Sequence, residues 1–226
     1  MWIAEVFASI QGEGKFAGIP SAFVRTSGCN LRCWFCDTPE TSWRPAGEHR
    51  EWEAVFEEVA GLECPHVVVT GGEPMLQPGV VPLTRALREQ GYMVTIETAG
   101  TVDAAVAADL MSISPKLGNS TPVDDPLWAS RHESIRDAPA VIQRWIEDFD
   151  YQLKFVVDHP DDVTEVERYV ERYAAVEPGR VWLMPQAVTA EQIAKRAGWI
   201  REAAESRGWR VSPRLQIELW GNRPGT

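Results

Sequence analysis

At 226 residues, 44% hydrophobic and 24% charged, the chain has the make-up of one enlarged globular domain rather than of a disordered, collagenous or coiled-coil protein. No run approaches the roughly 18 consecutive apolar residues of a membrane-spanning helix, and the first 11 residues carry Glu5 but no Lys or Arg, so neither a membrane segment nor a signal peptide is expected and the cytoplasm is the expected setting. With 22 basic against 33 acidic residues, a net of −11, nucleic acid is not an expected partner, because its binding is driven by Lys and Arg neutralising phosphates.

Six short apolar runs, rich in Val, Ile and Phe, follow one another at 21–26, 66–70, 93–97, 111–114, 151–157 and 181–184. Runs apolar almost throughout are what strands buried on both faces require. Helical stripes lie between them. Trp52, Val55, Phe56 and Val59 have the spacing of one helical face, and Val163, Val166 and Val170 follow Asp161 and Asp162 as candidate caps. Thr189 and Gln192 form a capping-box pattern ahead of Ile193, Ala197 and Ile200, and Gly208 fits the far end. Strands alternating with helices predict an α/β fold with parallel strands. Six units fall short of a full eight-stranded barrel, so an open partial (β/α)6 barrel is expected over a single domain spanning 1–226, its two ends elaborated. The rhythm breaks at about 117–138, where Gly118, Asn119, Pro122, Asp124, Asp125 and Pro126 predict a long loop. Such a loop reads equally as a functional lid and as a tolerated surface insertion.

The first strand leads into SGCNLRCWFCDT, which places Cys29, Cys33 and Cys36 at its C-terminal end, where barrels of this kind build their sites. CxxxCxxC supplies three thiolates and no obvious fourth. A closed zinc site wants four ligands, whereas a [4Fe–4S] cluster held by three would leave one iron open. Two other readings stand beside it. Cys64 or a histidine could complete a zinc site, and Cys33 with Cys36 could form a redox dithiol, which would leave Cys29 without a purpose. Cys64 otherwise reads as a small buried hydrophobe.

CxxxCxxC with Phe35 before the last cysteine resembles the radical S-adenosylmethionine superfamily. That resemblance implies an open iron chelated by the methionine end of S-adenosylmethionine, whose reductive cleavage yields a 5′-deoxyadenosyl radical; the protein orients and shields while the cofactor does the chemistry. The following strand ends agree. VVVTGGEPM supplies Thr70, Gly72 and Glu73, IETAGT supplies Glu97, SPK supplies Ser114, Pro115 and Lys116, and LMPQ supplies Gln186. By resemblance, Phe35, Gly72, Glu73, Glu97, Ser114, Pro115, Lys116 and Gln186 contact the cofactor.

SIQGEGKFAGIP near the N-terminus offers an amide and a carboxylate, Gln11 and Glu13, on a glycine-rich loop, a pairing suited to a flat heterocycle with amino and keto groups. Arg25 ends the first strand with a fork that fits a carboxylate, and the Thr38 hydroxyl is a hard oxygen of the kind Mg²⁺ accepts. QGEG, Arg25, CxxxCxxC-Asp-Thr, TGGEP, ETAGT and SPK, in that order over most of the chain, resemble the 7-carboxy-7-deazaguanine synthase family. The resemblance implies conversion of 6-carboxy-5,6,7,8-tetrahydropterin to 7-carboxy-7-deazaguanine with loss of ammonia, on the route to queuosine and other deazapurines. It further implies a [4Fe–4S] cluster on Cys29, Cys33 and Cys36, S-adenosylmethionine regenerated each turn, Mg²⁺ through Thr38, and substrate contacts from Ile10, Gln11, Gly12, Glu13, Arg25 and Thr70. An external electron donor of the flavodoxin or ferredoxin type and a homodimer complete the expectation. Members of this family can use a histidine near the C-terminus as a further substrate contact. Here SPRLQIELWGNRPGT has Gln216 in that place, which can hydrogen-bond the substrate but not carry charge.

Two competing readings remain. A glycyl-radical-enzyme activase shares CxxxCxxC but needs neither QGEG nor Arg25 nor Asp37-Thr38. A non-catalytic iron–sulfur or zinc module leaves the Gly72-Glu73 and Ser114-Lys116 motifs without a purpose.

Overall fold

The six apolar runs become six neighbouring parallel strands. The structure is a computed structural model that describes residues 1–225. In chain order its strands and helices are β1 (Trp2–Ile10), β2 (Pro20–Thr26), β3 (Glu48–His49), α1 (Trp52–Gly61), β4 (His66–Gly71), α2 (Val80–Glu89), β5 (Met93–Thr98), β6 (Leu110–Ile113), α3 (Pro126–Ile135), α4 (Pro139–Asp148), β7 (Tyr151–Val157), α5 (Asp161–Val170), β8 (Val181–Pro185), α6 (Ala190–Glu205), β9 (Arg210–Val211) and α7 (Leu215–Trp220). They form one sheet in the order β3-β1-β2-β4-β5-β6-β7-β8-β9, parallel from β2 to β9, with β1 antiparallel to β2 and β3 antiparallel to β1. The sheet does not close, as expected of a partial barrel.

One face of the sheet packs on the helices. Val67, Val69, Val94, Ile96, Met111, Ile113, Leu153 and Phe155 meet Val55 and Val59 of α1, Leu83 and Leu87 of α2, Ile142 and Trp145 of α4, Val166 of α5 and Ile200 of α6 in one core. Burying each of these side chains contributes about 1.5–3 kcal/mol. Cys64 lies in this core at 8% exposure, away from the other cysteines. The capping box of α6 forms as read, the Gln192 N–H donating to Thr189 Oγ1 and the Thr189 N–H to Gln192 Oε1, both at 3.2 Å.

Two features depart from the expected pattern. β1, β3 and β9 add strands at both edges; β1 is half-exposed and mixed in polarity, so it lacked the apolar signature of a strand buried on both faces. The stretch expected as a long loop holds α3. Asp125 caps that helix by accepting the Trp128 N–H at 3.1 Å, and Pro126 fills a first-turn position where no N–H is needed. The punctuating residues therefore start a helix here instead of excluding one.

His66 opens β4 at the end of the barrel remote from the cysteines, fully buried between Ser21 Oγ and Thr95 Oγ1, each 2.8 Å from a ring nitrogen. Burial pushes its pKa down to about 4, against a weaker pull from Asp109. The unfolded chain therefore binds a proton that the fold rejects. Urea unfolding followed from pH 7 to 4 should show stability falling as pH drops below about 6.5, and His66→Gln should lessen that slope by at most about 1.4 kcal/mol per pH unit.

Candidate functional site

Side chains alternate between the two faces of a strand, so the residues between the core positions point into the barrel. Phe23 and Arg25 of β2, Thr70 of β4, Glu97 of β5, Ser112 of β6, Lys154 and Val156 of β7 and Met184 of β8 line one cavity, joined by Ser114 and Gln186 just past their strands. Register sets them in rows, with Arg25 opposite Thr70, Glu97 opposite Ser112 and Val156 opposite Met184.

The chain leaves β2 through Gly28, at φ +101°, and brings Cys29, Cys33, Phe35, Cys36 and Thr38 to the mouth of the same cavity. Burial pushes the thiols up, Cys29 to about 11, Cys33 to about 12 and Cys36 in the same direction. Burial thus favours the protonated thiols, and binding a metal would release their protons. Among the described residues no group of three or more His, Cys, Asp or Glu side chains is arranged to hold a single ion. With Cys64 in the core and no histidine lining the cavity, the closed zinc site is not formed. Three thiols without a fourth protein ligand fit a cluster with one open iron.

The cavity floor is a buried chain of alternating charge. Lys154, 4% exposed, pairs with Glu13 and lies 3.7 Å from Glu97. Arg214, 3% exposed, meets Glu13 at 3.2 Å and Asp37 beyond it. Gln11 Nε2 and Thr70 Oγ1 donate to Glu97 at 3.2 and 2.9 Å, and Gln216 Nε2 donates to Glu13 at 2.8 Å. Burial alone would raise the Glu13 pKa, but the charges of Lys154 and Arg214 and the hydrogen bonds from Lys154 and Gln216 outweigh it and hold it at about 2. Burial would lower Lys154, and Glu13 and Glu97 raise it instead. Glu13 thus presents an anionic acceptor at the cavity floor, with the Glu97 carboxylate beside Lys154. Gln216 lies flat on the QGEG loop: a Cβ on Gly12 would come 1.8 Å from its Oε1.

Of the residues singled out in the sequence, Ile10, Gln11, Gly12, Glu13, Arg25, Cys29, Cys33, Phe35, Cys36, Thr38, Thr70, Gly72, Glu97, Ser114, Lys116, Gln186 and Gln216 share this cavity. Pro115 and Glu73 do not line it. Glu73 is fully buried in the wall, its oxygens taken by the Thr98 hydroxyl at 2.7 Å and by the Ala99 and Met75 N–H groups at 2.9 and 3.2 Å. Burial raises its pKa against those bonds, and the carboxylate is enclosed in the wall instead of lining the cavity. Glu97, expected beside the cofactor, sits instead among Gln11 and Thr70. Part of the Arg25 fork is engaged by Glu5, 2.6 Å from Nε. Lys116 donates to the Ser114 carbonyl and hydroxyl at 2.7 and 2.8 Å.

Gly72 is required by close approach. A Cβ there would lie 2.2 Å from the Gly28 carbonyl oxygen and 2.6 Å from that of Thr41, both main chain that cannot rotate away. Gly72→Ala should therefore melt well below the parent, losing about 1–3 kcal/mol or more, and should bind less iron, because the displaced segment adjoins Cys29; a calorimetric scan with iron analysis checks both.

Residues 23–121 match the model of the Radical SAM superfamily, which defines the class of the fold and of the cysteine loop. A 7-carboxy-7-deazaguanine synthase from Rhodopirellula baltica is 45% identical over 99% of this chain and 88% of its own length. Synthases of the same name from Halobacterium salinarum and Pyrobaculum aerophilum are 42% and 39% identical, each over 99% of this chain and over 92% and 96% of their own lengths. The crystal structure of QueE from Escherichia coli superposes with a TM-score of 0.70 at 25% identity, covering 93% of this chain and 92% of that one. The chain belongs to the 7-carboxy-7-deazaguanine synthase family of radical S-adenosylmethionine enzymes. A glycyl-radical-enzyme activase is not favoured by these relatives.

Proposed function

We propose that this chain converts 6-carboxy-5,6,7,8-tetrahydropterin to 7-carboxy-7-deazaguanine with loss of ammonia. The observation that carries the proposal is the floor of the cavity, where Lys154 and Arg214 keep Glu13 ionised beside Gln11 and Glu97. Two carboxylates and an amide complement the N–H-rich amino–keto edge of a pterin. Ile10 and Gly12 bring the loop backbone against that edge, and Gln216 steadies Glu13. The free part of the Arg25 fork holds the substrate carboxylate, with Thr70 between it and Glu97.

Cys29, Cys33 and Cys36 would hold a [4Fe–4S] cluster, and Phe35, Gly72, Ser114, Lys116 and Gln186 would border S-adenosylmethionine. When bound, the cluster and S-adenosylmethionine supply the radical that takes hydrogen from the substrate. Glu73 acts one layer back, tying Thr98, Ala99 and Met75 so that the Gly71–Gly72 wall keeps its shape. Thr38, at the cavity mouth beside Asp37, is the hydroxyl we assign to Mg²⁺, where the ion would neutralise substrate oxygens. Arg214 engages Asp37 and so orients the loop that carries Thr38.

The working unit we propose is a cytoplasmic homodimer fed by a flavodoxin- or ferredoxin-type donor; all four cysteines are free, as a reducing compartment requires. No helix among the described residues is long and apolar enough to cross a membrane. The test is anaerobic: reconstituted protein, reductant, S-adenosylmethionine, Mg²⁺ and 6-carboxytetrahydropterin, with 7-carboxy-7-deazaguanine followed by mass spectrometry. Product in excess of S-adenosylmethionine consumed is expected. 5′-Deoxyadenosine without product would overturn the substrate but keep the chemistry.

A further inference from the structure

The segment after β6 was open between a lid and an idle insertion, and its contacts fit neither. His132 of α3 is fully buried and lies against the cysteine loop, not the substrate cavity. Its Nδ1 accepts the Arg32 backbone N–H at 3.2 Å, and its Nε2 lies 2.8 Å from Ser120 Oγ. A backbone N–H only donates, so Nδ1 is unprotonated. Burial holds the ring neutral, with its pKa pushed down to about 4, so Nε2 carries the proton and donates to Ser120. The Ser120 hydroxyl in turn donates to the Leu117 carbonyl at 2.6 Å. The result is a one-way relay from the backbone between Cys29 and Cys33 into the inserted segment.

Other bonds run beside it. The Trp34 N–H donates to the Ser120 carbonyl at 3.2 Å, and Trp34 Nε1 to the Asn119 carbonyl at 2.7 Å. The Arg32 guanidinium stacks on Trp128 of α3 with its carbon 4.3 Å from the ring centre, while its Nη1 donates to the carbonyls of Cys29 and Leu31 at 2.7 Å. The spacer residue on each side of Cys33 is thus anchored by residues 119–132.

The geometry points to His132 as a positioning residue for the cluster: through Arg32 it fixes the turn that holds Cys29 and Cys33 at the spacing the cluster needs, and the inserted segment is a brace for that loop. The inference rests on the cluster reading above. Without His132 the part-buried Arg32 N–H loses its acceptor, which favours opened loop conformations by about 5- to 30-fold.

The experiment measures iron release from the anaerobically reconstituted protein to an excess of iron(II) chelator, by loss of the cluster's visible absorption, alongside thermal unfolding of the metal-free protein. His132→Phe keeps a ring of similar size and removes both nitrogens. It should release iron about 5- to 30-fold faster than the parent with metal-free melting little changed, and its reduced cluster should show a broadened electron paramagnetic resonance signal. His132→Asn, whose side-chain oxygen can replace Nδ1 as the acceptor, should recover most of the retention. Ser120→Ala, which removes only the hydroxyl receiving Nε2–H, should shift release the same way by less and serves if His132→Phe does not fold. Parent-like release from these variants, or faster release that only tracks a general loss of metal-free stability, would overturn the brace. A parent chain that takes up no iron would overturn the cluster reading and this inference with it, a result distinct from equal release by parent and variant.

Discussion

Lys154→Met is expected to lower both stability and substrate use more than any other single change in the cavity floor. The ammonium is almost fully buried between Glu13 and Glu97. Removing one partner of a buried ion pair costs about 3–5 kcal/mol, because the remaining charge stays in a buried site with much of its compensation gone. For a chain of this length that is a drop of roughly 6–20 °C in melting temperature. Glu13 keeps Arg214 and the Gln216 amide but loses its largest source of attraction, so its pKa climbs from about 2. The sign is fixed by that depressed value. In the parent, the Glu13 contribution is whole above about pH 4.5 and is lost as pH falls toward 2; in the variant the contribution is smaller, and its loss still begins near pH 4.5 but is complete at a higher pH. A carboxylate that protonates, or that captures water, no longer accepts from the substrate's N–H groups, so kcat/KM should fall about a hundredfold or more, chiefly through KM. Lys154→Met combined with Glu13→Gln removes the stranded charge and should regain much of the stability and none of the activity. Coincident melting of parent and Lys154→Met, measured from pH 4 to 8, would show that the network does not hold the floor.

The strands that carry the site were legible because β2 and β4 to β8 are buried on both faces and read as apolar runs. That same reading hid one of the site's two buried cations, Lys154. Within Tyr151–Val157, Gln152 and Lys154 occupy alternate positions, the ones that point into the barrel, while Leu153, Phe155 and Val157 face the helices. A run scored for continuous hydrophobicity conceals this; scored for parity, it would have shown a lysine aimed into a barrel, which no interior tolerates without a carboxylate partner. Arg214 escaped for a different reason. It lies two residues before Gln216 in a stretch without strand or helix periodicity, and only folding brings it to Glu13, some 200 positions earlier in the chain. Glu73 shows the opposite limit: a glycine-glycine-glutamate turn places the carboxylate at the strand end, but whether it faces the cavity or the wall depends on Thr98, which ends the next strand, and on Ala99 just past it. The helix at 126–135 was spelled by Asp125 and Pro126, residues that serve equally as loop punctuation and as the start of a helix. Its contacts with Arg32, through His132 and Trp128, have no local signature at all.

Cys33→Ser and Cys64→Ser should separate completely, although each replaces one buried sulfur by oxygen at the same 8% exposure. At Cys33 the thiol, already pushed up to about 12 by burial, can be deprotonated by iron because thiolates bind it strongly. A serine hydroxyl has a far higher pKa and is a harder ligand, so the variant should hold little or no cluster and form no measurable product, a loss of about four orders of magnitude or more. Its metal-free fold should survive, since the Cys33 carbonyl keeps the Trp43 Nε1–H at 2.9 Å and the Cys36 N–H at 3.2 Å. Cys64 has apolar core neighbours such as Val59 and Val67 and no contact with the cavity. There the new hydroxyl is buried among groups that cannot bond it, at a cost of about 1–3 kcal/mol, while iron content and turnover per folded molecule stay at the parent level. Iron and sulfide analysis of the two reconstituted variants beside the parent decides the matter. A Cys64→Ser protein that folds and yet lacks iron would mean that the fourth cysteine is a ligand after all, and the open coordination position on which the proposed chemistry depends would be lost with it.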